Sequence, residues 1–118
     1  MTESQLELSQ EVDDLFNNYC RLMPGVGEAY DALPDEVYKD GTLSAKVKRL
    51  IAMSGALVHG CRACIVFQTE QALEQGATVE EIFEACSVAI SLGGTMAAGE
   101  TTRVVKLLQE KGLLQAPK

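Results

Sequence analysis

Apolar residues recur at helical spacing along most of this 118-residue chain, and glycines, prolines and cap residues interrupt them at short intervals. No stretch sustains the alternation of apolar and polar residues that marks a half-buried strand. Trp is absent and only three Phe and three Tyr occur, so Leu, Val, Ile, Ala and Met must build the core. This palette suits closely packed helices. The sequence therefore predicts a compact all-α bundle of about six helices, with residues 1–118 forming one domain.

Cap and stop residues set the predicted helix boundaries. Pro24 ends the first helix, and Gly76 ends the helix before the Thr78–Glu81 segment. That segment is a capping box, in which the Thr78 hydroxyl accepts from the Glu81 amide and the Glu81 carboxylate returns the bond. Helices are predicted over residues 4–22, 26–33 with a second piece at 35–40, 44–58, 61–75, from 78 to the Gly93-Gly94 pair, and 95–111.

The apolar stripes of these helices predict which side chains face the core. In the first helix the stripe is Leu8, Val12, Leu15, Phe16 and Tyr19. In the 61–75 helix it is Cys64, Ile65, part of Phe67, Gln68, Ala72 and Leu73. In the last helix it is Met96, Val104, Leu107 and Leu108. Ala, Gly and Met abound from residue 85 to 99, so we expect part of that surface to be buried against another subunit.

The charge of the chain excludes several partner classes. The net charge is −7 and the basic residues do not cluster, so neither nucleic acid nor an anionic membrane is expected as a partner. The longest uncharged run, Cys86 to Gly99, has 14 residues and contains two glycines, which is too short to span a bilayer. The acidic, polar N-terminus lacks a signal-peptide pattern. These features predict a cytoplasmic location.

Cys61 and Cys64 form the feature that most directly points to chemistry. Two cysteines three residues apart on a helical turn bring their sulfurs close enough to bond. The pair follows Gly60 at a predicted helix N-terminus, where unpaired amides and the helix dipole favour a thiolate. Arg62 adds positive charge between them. A neighbouring thiol can resolve a sulfenic acid or a mixed disulfide, so the pair favours redox chemistry.

Other interpretations of the pair remain open from the residues alone. The two cysteines can be buried and inert, or half of a zinc site that His59 and Cys86 would have to complete through the fold. A c-type haem requires His directly after the second cysteine, where Ile65 stands. No cofactor and no metal is predicted.

Three segments together resemble the carboxymuconolactone decarboxylase family, and more closely its alkylhydroperoxidase D-like branch. These are the stretch from Leu43 to Ile51, the His59-Gly60-Cys61-Arg62-Ala63-Cys64 motif, and the stretch from Ala72 to Ile82. The resemblance covers residues 43 to 110, more than half of the chain. It implies an all-helical fold assembling into homotrimers or hexamers. It also implies peroxidase or disulfide reductase activity, with a peroxide or small disulfide as substrate and a thiol or dithiol as electron donor.

In this family the second cysteine usually attacks and the first resolves, which assigns attack to Cys64 and resolution to Cys61. The helix-dipole argument instead favours Cys61 as the more activated thiol, and for peroxide chemistry we follow the resemblance. Active relatives carry a histidine four residues after the second cysteine, which can take the thiol proton, and a glutamate twelve residues before the first, which completes this proton relay. This chain has Gln68 and Arg49 there. Gln68 cannot act as a base near neutral pH, whereas an inward Arg49 would stabilise a thiolate.

The remaining titratable candidates have less specific signals. His59 replaces the missing base if its loop folds back towards the pair, or else it is a cation at a helix C-terminus. An Arg49 that faces solvent is an equally open alternative. Cys86 lies on an apolar stripe and is predicted to be a buried core thiol, and Cys20 to be structural or incidental.

Three functions follow from these patterns. The first is a thiol oxidoreductase, with candidate catalytic residues Cys61, Cys64, Gln68, His59 and Arg49. The second is a lactone decarboxylase like the namesake of the family, against which the retained cysteine pair argues. The third is a non-catalytic oligomeric binding protein that has lost the proton relay.

Overall fold

A computed structural model describes residues 2–115 and contains, within that range, five α-helices and no strand. The all-α prediction is confirmed, although the helices number five and not about six. They are α1 (Gln5–Leu22), α2 (Pro24–Val37), α3 (Ala45–His59), α4 (Arg62–Glu74) and α5 (Val79–Glu110).

Helix α2 is continuous where a break at Pro34 was predicted. Pro24 stands in the first turn, where an N–H would have no intrahelical partner. Pro34 lies within the last turn, so the helix loses one backbone hydrogen bond and then ends within a few residues. The Tyr38 amide donates to the Pro34 carbonyl at 2.9 Å and closes that turn.

The predicted interruption at Gly93-Gly94 is a kink within α5. Gly94 has φ 65° and ψ −144°, a conformation that is available to glycine and rare for other residues. A Cβ on Gly93 would lie 3.4 Å from the Val58 Cα, so the absence of a side chain lets α5 approach α3 closely. The two predicted helices therefore form two helical segments that meet at Gly94, numbered together as α5.

The predicted caps form in the structure. Ser44 Oγ accepts from the Val47 amide at 3.1 Å and begins α3. At α5, Thr78 Oγ1 accepts from the Glu81 amide at 3.1 Å, and the Thr78 amide donates to the Glu81 carboxylate at 2.9 Å. The capping box therefore sets where α5 begins.

The core lies where α3, α4 and α5 pack together. Met53 and Leu57 of α3 are fully buried with Ile65 of α4 and Ile82 and Leu108 of α5. Helix α1 contacts α4 and α5, whereas α2 contacts only α1 among the described helices. The inward prediction was therefore wrong for the second half of α1, where Leu15, Phe16 and Tyr19 are exposed because the hairpin of α1 and α2 extends beyond the core.

Two other side-chain assignments were wrong. Helix α4 buries Ile65, Val66, Thr69 and Ala72, and leaves Cys64 exposed, whereas Phe67, predicted to face the core in part, is 42% exposed. Apolar residues lie all round this helix, so their spacing did not select the face that packs against α1, α3 and α5. Met96 is 45% exposed because it directly follows the kinked segment of α5.

Helix α5 is long and apolar enough, by length and composition, to cross a membrane, a test that the core helix of a soluble protein also passes. Here most of its buried residues belong to the shared core with α3 and α4. Only 22% of its most apolar window is buried, which leaves an apolar surface on this helix.

Candidate functional site

The cysteine pair lies at the junction between α3 and α4. Helix α3 ends at His59, and Gly60 follows with φ 75°, a left-handed conformation that suits glycine at a helix C-terminus. The Gly60 amide donates to the Ala56 carbonyl at 2.9 Å. This turn directs the chain straight into α4, so that Cys61 becomes the N-cap residue of that helix.

Cys61 and Cys64 are joined by a disulfide bond, with their Cα atoms 5.2 Å apart, within the usual range for disulfides. The Cys61 Sγ accepts from the Cys64 backbone amide at 3.3 Å. A sulfur therefore occupies the place that a hydroxyl or carboxylate oxygen takes in most helix N-caps. Cys61 is half-buried and Cys64 is exposed, so Cys64 is the more accessible of the two to a substrate.

The electrostatic surroundings of the pair come from the start of α4 and from the N-terminal segment of the chain. The first turn of α4 carries no acidic residue, so no carboxylate on the helix offsets its positive end. Arg62, between the cysteines, forms an ion pair with Glu3 at 3.1 Å. Glu3 also binds Arg103 at 2.9 Å, which ties the N-terminal segment to both α4 and α5.

Arg49 and Gln68, the two substituted relay positions, contact each other directly. Arg49 Nη1 donates to Gln68 Oε1 at 3.0 Å. The guanidinium carbon lies 3.6 Å from the centre of the Tyr38 ring, a cation–π distance. Burial lowers the pKa of Arg49, and the fields of Tyr38 and Glu74 oppose that shift. Arg49 thus lies against other side chains and does not extend into solvent.

Gln68 connects this contact to the cysteine pair along α4. It lies four residues after Cys64, and residues at that spacing on a helix have Cβ atoms roughly 5–6 Å apart. No hydrogen bond joins Gln68 or Arg49 to either sulfur among the described residues. The structure therefore brings Arg49 and Gln68 together, with Gln68 one helical turn along α4 from Cys64.

His59 is not placed with this group. It is the exposed last residue of α3, where a cation is favoured by the helix dipole. Its side chain lines a groove of about 620 Å³ between α3 and α5, together with Val58 and Leu92. In residues 2–115 it makes no hydrogen bond to Cys61 or Cys64. The proposed role of His59 as a replacement base stays a prediction.

The other two cysteines are free. Cys86 is 2% exposed within the core, as predicted, and burial raises the pKa of its thiol to about 11. Cys20 is half-buried and packs closely on Gly27 of α2. Nowhere in the described chain do three His, Cys, Asp or Glu side chains form a group that could hold a metal ion.

Glu3 and Tyr38 are neighbours of the site that the sequence did not indicate. Glu3 is 59 residues from Arg62 along the chain, and no local pattern relates the two. Tyr38 is the C-cap residue of α2 and carries no motif. Met96 is a third, since its Sδ lies 3.2 Å from where a Cβ on Gly60 would stand.

Comparison with known proteins relates this site to one family. The model of the carboxymuconolactone decarboxylase family matches residues 24–107. An uncharacterised protein of Cupriavidus necator is 34% identical over 84 residues, covering 71% of this chain and 74% of the relative. An uncharacterised protein of the cox locus of Paracoccus denitrificans is 34% identical over 85 residues, covering 72% and 77%.

Solved structures of the same family share the fold. An apo protein of Legionella pneumophila superimposes with a TM-score of 0.85 at 25% identity, covering 90% of this chain and 95% of that one. A Thermotoga maritima protein, described as a candidate for the antioxidative response, has a TM-score of 0.68 at 31% identity, covering 73% and 89%.

Proposed function

Because the chain belongs to the carboxymuconolactone decarboxylase family, we propose that it is a thiol-dependent oxidoreductase whose Cys61 and Cys64 cycle between dithiol and disulfide. The observation that carries this proposal is the disulfide at the N-terminus of α4, with Cys64 exposed. A disulfide whose loop spans only three residues adds little constraint to the unfolded chain, so a structural role explains it poorly.

The helix supplies the activation that the pair needs. A thiolate at the N-cap accepts backbone N–H groups and faces the positive end of the helix, and both interactions lower a thiol pKa. The Cys64 amide already points at the Cys61 Sγ in the oxidised protein. Upon reduction, this amide is in place to stabilise a Cys61 thiolate, while Cys64 remains accessible to substrate.

The reaction with a peroxide proceeds in two steps. The Cys64 thiolate attacks one peroxide oxygen, the O–O bond breaks, and the other oxygen leaves as an alcohol or water after taking a proton. The Cys61 thiol then attacks the sulfenic acid sulfur and releases water, which forms the disulfide. An external thiol or dithiol returns two electrons and two protons to the pair. With a disulfide substrate, the leaving group is a thiolate.

The Arg49–Gln68 contact favours disulfide exchange over fast peroxide reduction. Departure of an alkoxide or hydroxide requires a proton donor, and Gln68 cannot deliver one near neutral pH. A thiolate leaving group has a much lower pKa and departs without that help. We therefore propose small disulfides as the better substrates and peroxides as slower ones.

We propose that the protein is soluble and cytoplasmic. We also propose that it forms a homo-oligomer, either a trimer or a hexamer. Support for the oligomer comes from exposed apolar side chains on both sides of the groove between α3 and α5. Ile51 is 56% exposed and Leu92 is 75% exposed. Size-exclusion chromatography with light scattering should show a multiple of 12.7 kDa, and a monomer at micromolar concentration would contradict this assembly.

Thiol counting tests the proposed function. Reduced protein is mixed with one equivalent of hydrogen peroxide or of a small disulfide, and free thiols are counted under denaturing conditions. We expect the loss of two thiols per chain, and peptide mapping should place the new bond between Cys61 and Cys64.

The matched variants are Cys64→Ser and Cys86→Ala. Because Cys64 is the proposed nucleophile, its serine variant should lose at least on the order of a hundredfold in rate. Cys86→Ala should react as the wild type does, since that thiol is buried. Equal rates in Cys64→Ser and wild type would exclude the mechanism and favour a non-catalytic binding protein.

A further inference from the structure

Arg49 differs from the other arginines near the site in having no anionic partner. Arg62 and Arg103 both form ion pairs with Glu3. In the part of the chain that the structure describes, no carboxylate lies within ion-pair distance of Arg49. Its Nε is buried without a hydrogen-bond partner, and Nη1 is the one guanidinium nitrogen that donates to a protein acceptor. Because Nε is buried, Nη2 and the second hydrogen of Nη1 are the donors left for an external acceptor.

The position of this guanidinium is nevertheless fixed. Tyr38 stacks against it at 3.6 Å and Gln68 accepts from Nη1 at 3.0 Å. A partly buried cation is costly unless it is paired, so a side chain held in this way is expected to gain from binding an anion. The planar fork of a guanidinium matches the two oxygens of a carboxylate.

The fixed guanidinium is linked to the reacting cysteine through Gln68 of α4. Gln68, which orients it, is one helical turn from Cys64 on α4, and such residues have Cβ atoms roughly 5–6 Å apart. An anion bound at Arg49 would thus hold the rest of a small molecule close to Cys64. The Gln68 side chain and its 3.0 Å hydrogen bond to Arg49 add to that separation, so the span suits a carboxylate a few bonds from the reacting atom.

We propose that Arg49, held by Tyr38 and Gln68, binds the carboxylate of a small anionic disulfide that Cys64 reduces. This inference rests on the proposed function and names its substrate class. Arg49 acts as a specificity-determining residue, and its partner Gln68 positions it. The two positions that transfer a proton in active relatives bind an anion in this chain.

The reaction balances without any group beyond the substrate and the cysteine pair. The Cys64 thiolate attacks one sulfur of the bound disulfide, its S–S bond breaks, and one carboxylated thiolate leaves and takes a proton from solvent. The Cys61 thiolate then attacks Cys64 and displaces the second carboxylated thiolate. Two electrons pass from the cysteine pair to the substrate, and the carboxylates remain unchanged.

The charge of the whole chain makes the test specific. The net charge is −7, so the overall field of the protein repels anions. A preference for an anionic disulfide over its neutral ester must therefore come from local positive charge, either the N-terminus of α4 or a cation. The part of the preference that Arg49→Gln removes belongs to Arg49. Arg49 is a cation near this end of α4 that forms no direct ion pair with a carboxylate of the described chain, although the field of Glu74 reaches it.

The experiment compares dithiodiglycolate with its dimethyl ester as oxidants of the reduced protein in single-turnover mixing. Wild-type protein should react on the order of tenfold faster with the dicarboxylate than Arg49→Gln does, because a charged hydrogen-bonded pair is lost. The rate with the ester should be equal in the two proteins within about twofold. Lys48→Gln, which removes the cation next along α3, should leave both rates unchanged.

Each other outcome has a distinct meaning. Equal loss of rate with both disulfides would overturn the inference, because Arg49 would then act on the thiolate and not on the substrate. No effect of Arg49→Gln on either rate would also overturn it. If reduced wild-type protein oxidises with neither disulfide and with no peroxide, the proposed function itself fails.

A measurement on the wild type covers the case in which Arg49→Gln does not fold. Thiodiglycolate, a thioether that cannot react, should slow the alkylation of Cys64 by neutral iodoacetamide at least severalfold, whereas its dimethyl ester should not. Equal protection by the two compounds, or protection by neither, would contradict carboxylate binding beside Cys64.

Discussion

Helices α4 and α5 begin in the same way geometrically and in opposite ways chemically. At α5 an oxygen of Thr78 caps the helix, and Glu80 and Glu81 occupy the first turn. At α4 a sulfur of Cys61 caps the helix, and the first turn has no acidic residue. The positive end of α5 is therefore neutralised by carboxylates of the chain, whereas that of α4 is left for a thiolate.

The difference shows that a side-chain cap at a helix N-terminus can serve stability in one helix and reactivity in another. Glu81 accepts from the Thr78 amide and binds Lys46 at 2.9 Å, so this carboxylate is held both by the helix backbone and by a cation. The hydrogen bond from the Thr78 amide lowers the pKa of Glu81 most, and the interaction with Lys46 lowers it further. The first turn of α4 has no carboxylate of this kind, and the sulfur that caps the helix is a weaker acceptor than oxygen.

The largest effect is expected for Cys61→Ser, which keeps the helix cap at this position and removes the redox-active thiol. In Cys61→Ser an oxygen takes over the cap, so the reduced variant should unfold in urea within about 0.5 kcal/mol of reduced wild type. The resolving thiol is lost, so turnover should fall at least tenfold. A mixed disulfide on Cys64 should accumulate and be visible by mass spectrometry.

Two results would count against this separation. Retained turnover in Cys61→Ser would mean that Cys61 does not resolve, and a loss of more than 2 kcal/mol would mean that the sulfur does more for stability than a cap.

Thr78→Ala probes the other helix start. The variant loses the side-chain half of the capping box, which should lower the free energy of unfolding by about 1 kcal/mol. The rate with a disulfide substrate should not change, because Thr78 is remote from the cysteine pair along the chain. A rate that falls together with stability would break the distinction between the two helix starts.

Glu3→Gln tests the charge balance at α4. Without the carboxylate, Arg62 is no longer neutralised and should favour the thiolate more, so the rate near pH 7 should rise about twofold. The effect is small because both partners are largely exposed. Glu7→Gln, an exposed glutamate in the first turn of α1, is the matched control. A lower rate in Glu3→Gln would show that Glu3 assists the reaction instead.

The smallest effect concerns the pH dependence of stability. The pKa of Glu81 is lowered in the folded protein, so its contribution is present above the unfolded-state pKa of about 4.3. The contribution is lost as pH falls through the folded-state value. Glu81→Gln should therefore reduce stability at pH 7 and flatten its decrease on acidification, as followed by urea unfolding. An unchanged slope between about pH 5 and pH 3 would contradict this.

The sequence predicted the parts of this fold that depend on local signals. Ser44 and the Thr78 capping box set their helix starts as expected, and the Gly93-Gly94 pair marks the kink in α5. The cysteine pair was also placed correctly, because Gly60 and the following apolar run locate the start of α4. These features involve residues only a few positions apart.

Contacts between segments that are distant along the chain could not be predicted from such local signals. The ion pair of Glu3 with Arg62 joins the N-terminal segment to α4, and the stacking of Tyr38 on Arg49 joins the end of α2 to α3. The buried face of α4 was missed because apolar residues surround that helix. Gln68 and Arg49 were singled out by resemblance, yet only the structure shows that they bind each other.

The central claim is that the start of α4 stabilises a thiolate. The most direct measurement is thiolate absorbance against pH for the reduced Cys20→Ser/Cys86→Ala variant, in which the pair alone titrates. The account predicts that the first thiol of the pair ionises with a pKa clearly below the ordinary value of about 8.5. A first pKa at or above that value would contradict it.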